Sequence, residues 1–159
     1  MKKFFVSIVA MLAMAVSFVS CSNEDNDVTA DMVAGNYAGT ASVVVDTGAE
    51  DQEPQKVGDY STTATITATS ENNVKIAISG FGSGHYTMPS FEIPFCKVDG
   101  VNEKVALLQG VDFEFTNNGV VYSGSMYGTY SSGNVQLIMV IKPGSMPFTI
   151  NVNVELKRK

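Results

Sequence analysis

The chain has 159 residues, with 10 basic against 16 acidic side chains and a formal charge of −6 at neutral pH. That length suits one domain around one core. The acidic balance argues against a nucleic-acid partner, since phosphate binding needs clustered positive charge, and predicts repulsion from anionic membrane surfaces.

The first element is not part of a fold. Met1-Lys2-Lys3 is a short positive start, Phe4 to Val19 is apolar apart from Ser7 and Ser17, and Ser20 is small. Residues 1–20 thus have the layout of a secretory signal, because a spanning helix needs about 20 predominantly apolar residues with suitable flanks. Phe18, three places before Cys21, does not suit ordinary signal peptidase. The pattern resembles a bacterial lipobox, with Phe18 where leucine is usual. This resemblance implies cleavage before Cys21 and acylation of its sulfur and new amino group. Each buried methylene contributes about 0.8 kcal/mol, and the two or three chains of such a lipoprotein give stable anchoring. The expected membrane contact is therefore an anchor at Cys21, not a span.

Removing Lys2 and Lys3 with the signal leaves 8 basic residues against 16 acidic ones, a formal −8 on the mature chain. Residues 21–34 are expected to be the lipidated cysteine and a flexible acidic linker. Ser22 to Asp27 cannot bury anything. It reads either as a spacer or, by resemblance, as the surface-export signal of Bacteroidetes lipoproteins. The expected location is the outer membrane, facing periplasm or exterior. With Cys21 acylated, Cys96 stands alone in an apolar strand and reads as a small buried hydrophobe. Without acylation, a disulfide to Cys21 is the alternative.

Beyond Met32 the pattern has a period of two, which puts alternate residues on opposite strand faces. Tyr37, Gly39, Ala41, Val43 and Val45 share one face. In the next strand Tyr60, Thr62, Ala64, Ile66 and Ala68 oppose the hydroxyl column of Ser61, Thr63, Thr65, Thr67 and Thr69. Asp46 to Asp59 is a long polar loop between them. The turn Glu71-Asn72-Asn73 leads into Val74, Ile76 and Ile78. Phe91, Ile93 and Phe95 follow, with Pro89 and Pro94 marking an edge or bulged strand. A weak strand covers Val105 to Leu108, and Val111, Phe113 and Phe115 make another. Asn118-Gly119 signals a tight hairpin into Val120 to Tyr130. Ser131 to Asn134 turns into Val135 to Ile141, and Pro143-Gly144 into a last strand whose apolar face runs from Met146 to Leu156.

About eight or nine short strands joined by tight turns predict an all-β antiparallel meander that closes into a barrel or folds into a sandwich. The barrel is favoured, because sequential hairpins wrap naturally and Gly39, Gly124 and Gly128 permit strong bending inside strands. Gly35-Asn36-Tyr37-Ala38-Gly39-Thr40, the threonine-rich strand, Phe91-Glu92-Ile93-Pro94-Phe95 and the closing hairpin from Tyr122 to Leu156 resemble the calycin-like, lipocalin-like lipoproteins of Bacteroidetes. The resemblance covers nearly the whole mature chain and implies a calycin-like barrel over residues 35–159. Many calycins hold small apolar molecules. Lipocalins begin with Gly-x-Trp, where this chain has Gly35-Asn36-Tyr37. Arg158 is placed to cover that aromatic, but its setting between Lys157 and Lys159 predicts a solvated side chain.

No catalytic set is found, and neither a cofactor nor a metal is expected. His85 lies in Gly80-Phe81-Gly82-Ser83-Gly84-His85, which lacks the Gly-x-Ser-x-Gly elbow and has no helix after it to hold a phosphate. Asp112 and Glu114 read as a wet strand face, and the acids of the 46–59 loop lack calcium-loop spacing. The inner faces are more suggestive. Gly39, Ala41, Ala64 and Ala68 leave space that a small apolar or amphipathic ligand or larger side chains would fill. Tyr37, Tyr60, Tyr122, Met126 and Tyr130 are the candidates to line it. The alternatives are a core packed by those side chains, and a protein- or glycan-interaction module acting through rim loops such as Gly80 to His85 and Asp46 to Asp59.

Overall fold

The computed structural model describes residues 27–70 and 72–159. The residues read as a signal, Cys21, the start of the expected linker and Glu71 lie outside the described residues. A short helix, α1 (Ala30–Val33), precedes β1 (Gly35–Asp46), β2 (Gln55–Ser70), β3 (Asn73–Ile78), β4 (Phe91–Gly100), β5 (Val105–Asn117), β6 (Val120–Ser131), β7 (Asn134–Pro143) and β8 (Thr149–Arg158). Each strand pairs antiparallel with the next, and β8 returns to β1, so the sheet closes as a barrel and not as a sandwich.

Alternation drives this closure. Along β8, Ile150, Val152, Val154 and Leu156 are buried while Glu155 and Lys157 are exposed. A strand with one oily face must bury it, and eight such strands with tight turns bury them against one another. The hairpins have the turn chemistry read from the sequence. Asn118 and Gly119 take φ of 50° and 79°, and Ser132 and Gly133 take 47° and 85°, the left-handed pair that matches strand twist. At Gly39 a Cβ would sit 1.8 Å from the Glu155 carbonyl oxygen, so β1 and β8 approach closely because that residue has no side chain.

Several boundaries differ from the sequence reading. The expected weak strand at Val105 to Leu108 and its successor are one strand, β5, with the register shifting between Leu108 and Val111. The polar 46–59 loop is shorter, since Gln55 to Asp59 already belong to β2. The last strand starts at Thr149, and Met146 is exposed. Residues 28–34, read as linker, are not one: Val28, Ala30 and Val33 are buried in the core, because the barrel's end offers them an apolar surface that local sequence does not reveal.

Strand pairing is uneven around the barrel. β6 and β7 pair continuously from Tyr122↔Pro143 to Ser131↔Asn134. β4 and β5 form a regular ladder only over Val98↔Leu108, Asp99↔Leu107 and Gly100↔Ala106. Beyond it the two strands stay neighbours without that register, a seam running to one end of the barrel.

Candidate functional site

The two ends of the barrel are built differently. At the helix end, α1 packs across the opening and the Tyr37 hydroxyl donates to the Val33 carbonyl at 2.5 Å. Arg158, from the end of β8, donates to that same hydroxyl at 2.9 Å and to the Met32 carbonyl. Its guanidinium lies 5.5 Å from the Tyr37 ring centre and 6.0 Å from that of Tyr130, within cation–π range. Arg158 thus keeps the exposure expected of it and at the same time covers the Tyr37 aromatic. Register decides it, because Tyr37 pairs with Arg158 across β1 and β8. Burial pushes the Tyr37 hydroxyl above its ordinary pKa, partly opposed by the hydrogen bond and charge of Arg158.

At the other end, the β1–β2, β3–β4, β5–β6 and β7–β8 connections gather. Within the β3–β4 connection, Phe81 and Met88 bridge through their backbones and are buried. Tyr86 reaches over to Phe148, edge to face at 6.5 Å. Beside them, rings fill the seam. Phe91 of β4 stacks on Phe115 of β5 at 4.7 Å and on Phe113 at 5.5 Å, and Phe115 stacks on Tyr122 of β6 at 4.8 Å. These planes lie within 3–11° of parallel. Phe113 and Phe91 are buried, whereas Phe115 and Tyr122 are half-buried.

At the root of the seam, where pairing stops, the Cys96 thiol donates to the Gln109 carbonyl at 3.5 Å. Burial raises that thiol to about 11, which keeps it protonated and unreactive at neutral pH. Phe95, expected on one face with Phe91 and Ile93, is instead 55% exposed, because the β3–β4 register shifts between Ile93 and Cys96 and gives β4 an extra residue there.

The five candidate lining residues fall into two groups. Tyr37, Met126 and Tyr130 are buried in the packed lower part, two of them joined through Arg158. Tyr60 and Tyr122 are half-buried toward the loop end, Tyr60 with its hydroxyl 3.3 Å from Ser83 Oγ and Tyr122 inside the ring stack. They do not share one chamber. The ring array itself escaped the sequence reading: Phe91, Phe113 and Phe115 were legible as inward residues, but the contact of Phe91 with the other two depends on how β4 aligns with β5. Concave surface is found on the outside of the wall and at the loop-end mouth. A groove of about 470 Å³ runs over Thr40, Thr129, Gln136 and Glu155, and a smaller one of about 230 Å³ at the loop end lies among Val45, Val57, Gln52 and Tyr86.

His85 is exposed in its loop, and Asp112 and Glu114 are exposed on the outer face of β5. Asp46 accepts from the Gly48 amide, and Asp59 accepts from Ser42 and from Lys56 at 2.8 Å, which holds its carboxyl below the ordinary range. Among the described residues, no three metal-ligating side chains converge and no helix is long and apolar enough to cross a membrane.

Charge is also unequal. The connections at the loop end and the strand segments leading to them carry Asp46, Glu50, Asp51, Glu53, Asp59, Glu92, Asp112 and Glu114 against Lys56 and Lys142. The helix end carries Asp27, Asp31, Asp99, Glu103 and Glu155 against Lys75, Lys97, Lys104, Lys157, Arg158 and Lys159, with Glu71 between β2 and β3 in the sequence.

The model of the calycin-like beta-barrel domain family matches residues 33–154. Among solved structures, a presumed outer membrane protein from Bacteroides fragilis superposes with a TM-score of 0.64 at 20% identity. The match covers 81% of this chain and 52% of that one, so the chain spans about half of that protein's length. A protein from M. tuberculosis aligns at a TM-score of 0.40 and 8% identity, over 80% of this chain and 92% of its own. No curated protein matches the sequence.

Proposed function

The chain belongs to the calycin-like β-barrel domain family, and from that premise we propose that it is a lipid-anchored outer-membrane barrel that binds a small apolar or amphipathic molecule at its loop end. The observation that carries the reading is the seam, where the β4–β5 ladder stops and near-parallel rings stack along the inner face, two of them only partly buried. Parallel rings offer a flat apolar molecule the same stacking they offer one another, worth roughly 0.5–1.5 kcal/mol per ring pair beyond area burial. The Tyr122 hydroxyl supplies a polar handle beside them. Tyr37, Met126 and Tyr130 belong in this reading to the supporting floor, whereas Tyr60 and Tyr122 face the ligand.

The anchor rests on the signal-like residues 1–20 and on Cys21. The outer-membrane location is supported by that lipobox pattern and by the name of the Bacteroides fragilis protein of like fold. The role read here is binding; His85 and the acidic pair Asp112 and Glu114 are exposed and take no part in it.

Thermal-shift titration with fatty acids and flat hydrophobic dyes tests the binding step. A ligand at about 100 times its Kd stabilises by about 2.7 kcal/mol, and Phe115→Ala should abolish the shift while Tyr60→Phe preserves most of it. If no such ligand raises the melting temperature, the binding reading is wrong. A rim-contact module is then favoured by exposed Val121 and Met146, which flank a shallow depression at the β5–β6 and β7–β8 turns.

A further inference from the structure

We propose that the helix end of the barrel rests on the bilayer that holds the anchor, with the acidic loop end and its seam held away from it. The inference rests on acylation of Cys21. Val28 is buried and its amide donates to the Asn102 carbonyl at 3.1 Å, so the chain enters the fold beside the β4–β5 turn at the helix end. Six residue steps lead from Cys21 to Asp27 and reach about 20 Å fully extended. A tilted strand of β1's length stands about 30 Å tall, so the leash is shorter than the barrel.

What surrounds the entry point fits a headgroup layer. Met32 is 44% exposed and Val101 55% exposed, and Lys104, Lys157 and Lys159 are exposed at the same end. Short apolar side chains among lysines suit the boundary between phosphates and acyl chains, where each basic residue near an anionic surface contributes about 1 kcal/mol. The formal negative charge of the mature chain predicts repulsion from such a surface. In the folded barrel the excess of carboxylates sits at the loop end, so the field opposes that end and tolerates the other. The ring-filled seam opens toward the loop end and faces the aqueous side in this pose.

The test uses the full mature lipoprotein in vesicles of phosphatidylethanolamine and phosphatidylglycerol. Met32→Cys, Val101→Cys and Met146→Cys each take an environment-sensitive fluorophore, with Cys96 shielded by burial and its raised thiol pKa. Nitroxide-labelled lipid should quench the probes at 32 and 101 several-fold more than the probe at 146. Equal quenching, or stronger quenching at 146, overturns the orientation. Flotation of the vesicles reads the anchor separately: loss of co-flotation on Cys21→Ser supports acylation there, and a protein that fails to float with Cys21 intact overturns the anchor and the orientation together.

Discussion

At the helix end of this barrel a buried tyrosine is held by two hydrogen bonds and covered by an arginine, and α1 lies over it. At the loop end the wall is not stitched by backbone bonds across β4 and β5, and side-chain rings stand in for them. Hydrogen bonds are directional and fix one geometry, whereas stacked rings attract through broad contact and can exchange one flat partner for another. The difference teaches where this fold can afford change: a floor specified by polar geometry supports an upper part closed by replaceable contacts.

Deleting one ring at each end gives the sharpest test of that contrast. Tyr37→Ala empties a fully buried site and should cost about 3–5 kcal/mol in urea unfolding. Phe115→Ala removes a half-buried ring and should cost less than about 2 kcal/mol. Equal losses would show the seam to be as structural as the floor.

The next effect is alkaline. Cys96 at the root of the seam is raised from 9.0 to about 11, and Tyr37 on the floor is raised from 10.0. Both groups keep their protons longer in the folded state than in the unfolded one, so stability is complete below pH 9 and falls as pH rises toward the folded values. The thiol accounts for roughly 2–3 kcal/mol of that loss by pH 11. Cys96→Ala should flatten the fall between pH 9 and 10, leaving the part that begins at the ordinary tyrosine value. An unchanged profile would sever the thiol from the seam's stability.

The smallest expected change is at the arginine. Arg158→Met keeps a long apolar stem and leaves Tyr37 bonded to Val33, so about 1 kcal/mol should be lost. Arg158 lowers the Tyr37 pKa, so its removal should move that tyrosine's titration, followed by ultraviolet absorbance, to still higher pH. A downward shift would mean that the guanidinium does not act on the hydroxyl.

Much of the fold was legible because alternation is a local property. The two-residue rhythm of Ile150 to Leu156, the Asn118-Gly119 turn and the inward parity of Tyr37, Met126 and Tyr130 all follow from neighbours along the chain. The candidate site was less legible. Tyr122 was read as inward, and Phe115 sits opposite it in the hairpin closed by Asn118-Gly119, but the stack onto Phe91 joins β5 to β4, whose alignment local sequence does not give. Arg158 stays exposed, as its flanking lysines suggest, but its docking on Tyr37 follows from their cross-strand pairing.

The sequence alone determined that oily and wet faces alternate along the strands and that tight turns join them, because side-chain direction repeats every two residues whatever the surroundings. Only the tertiary structure decided which end is locked and which is held by rings. That choice depends on how strands distant in sequence register against one another, and register emerges when the sheet closes on itself.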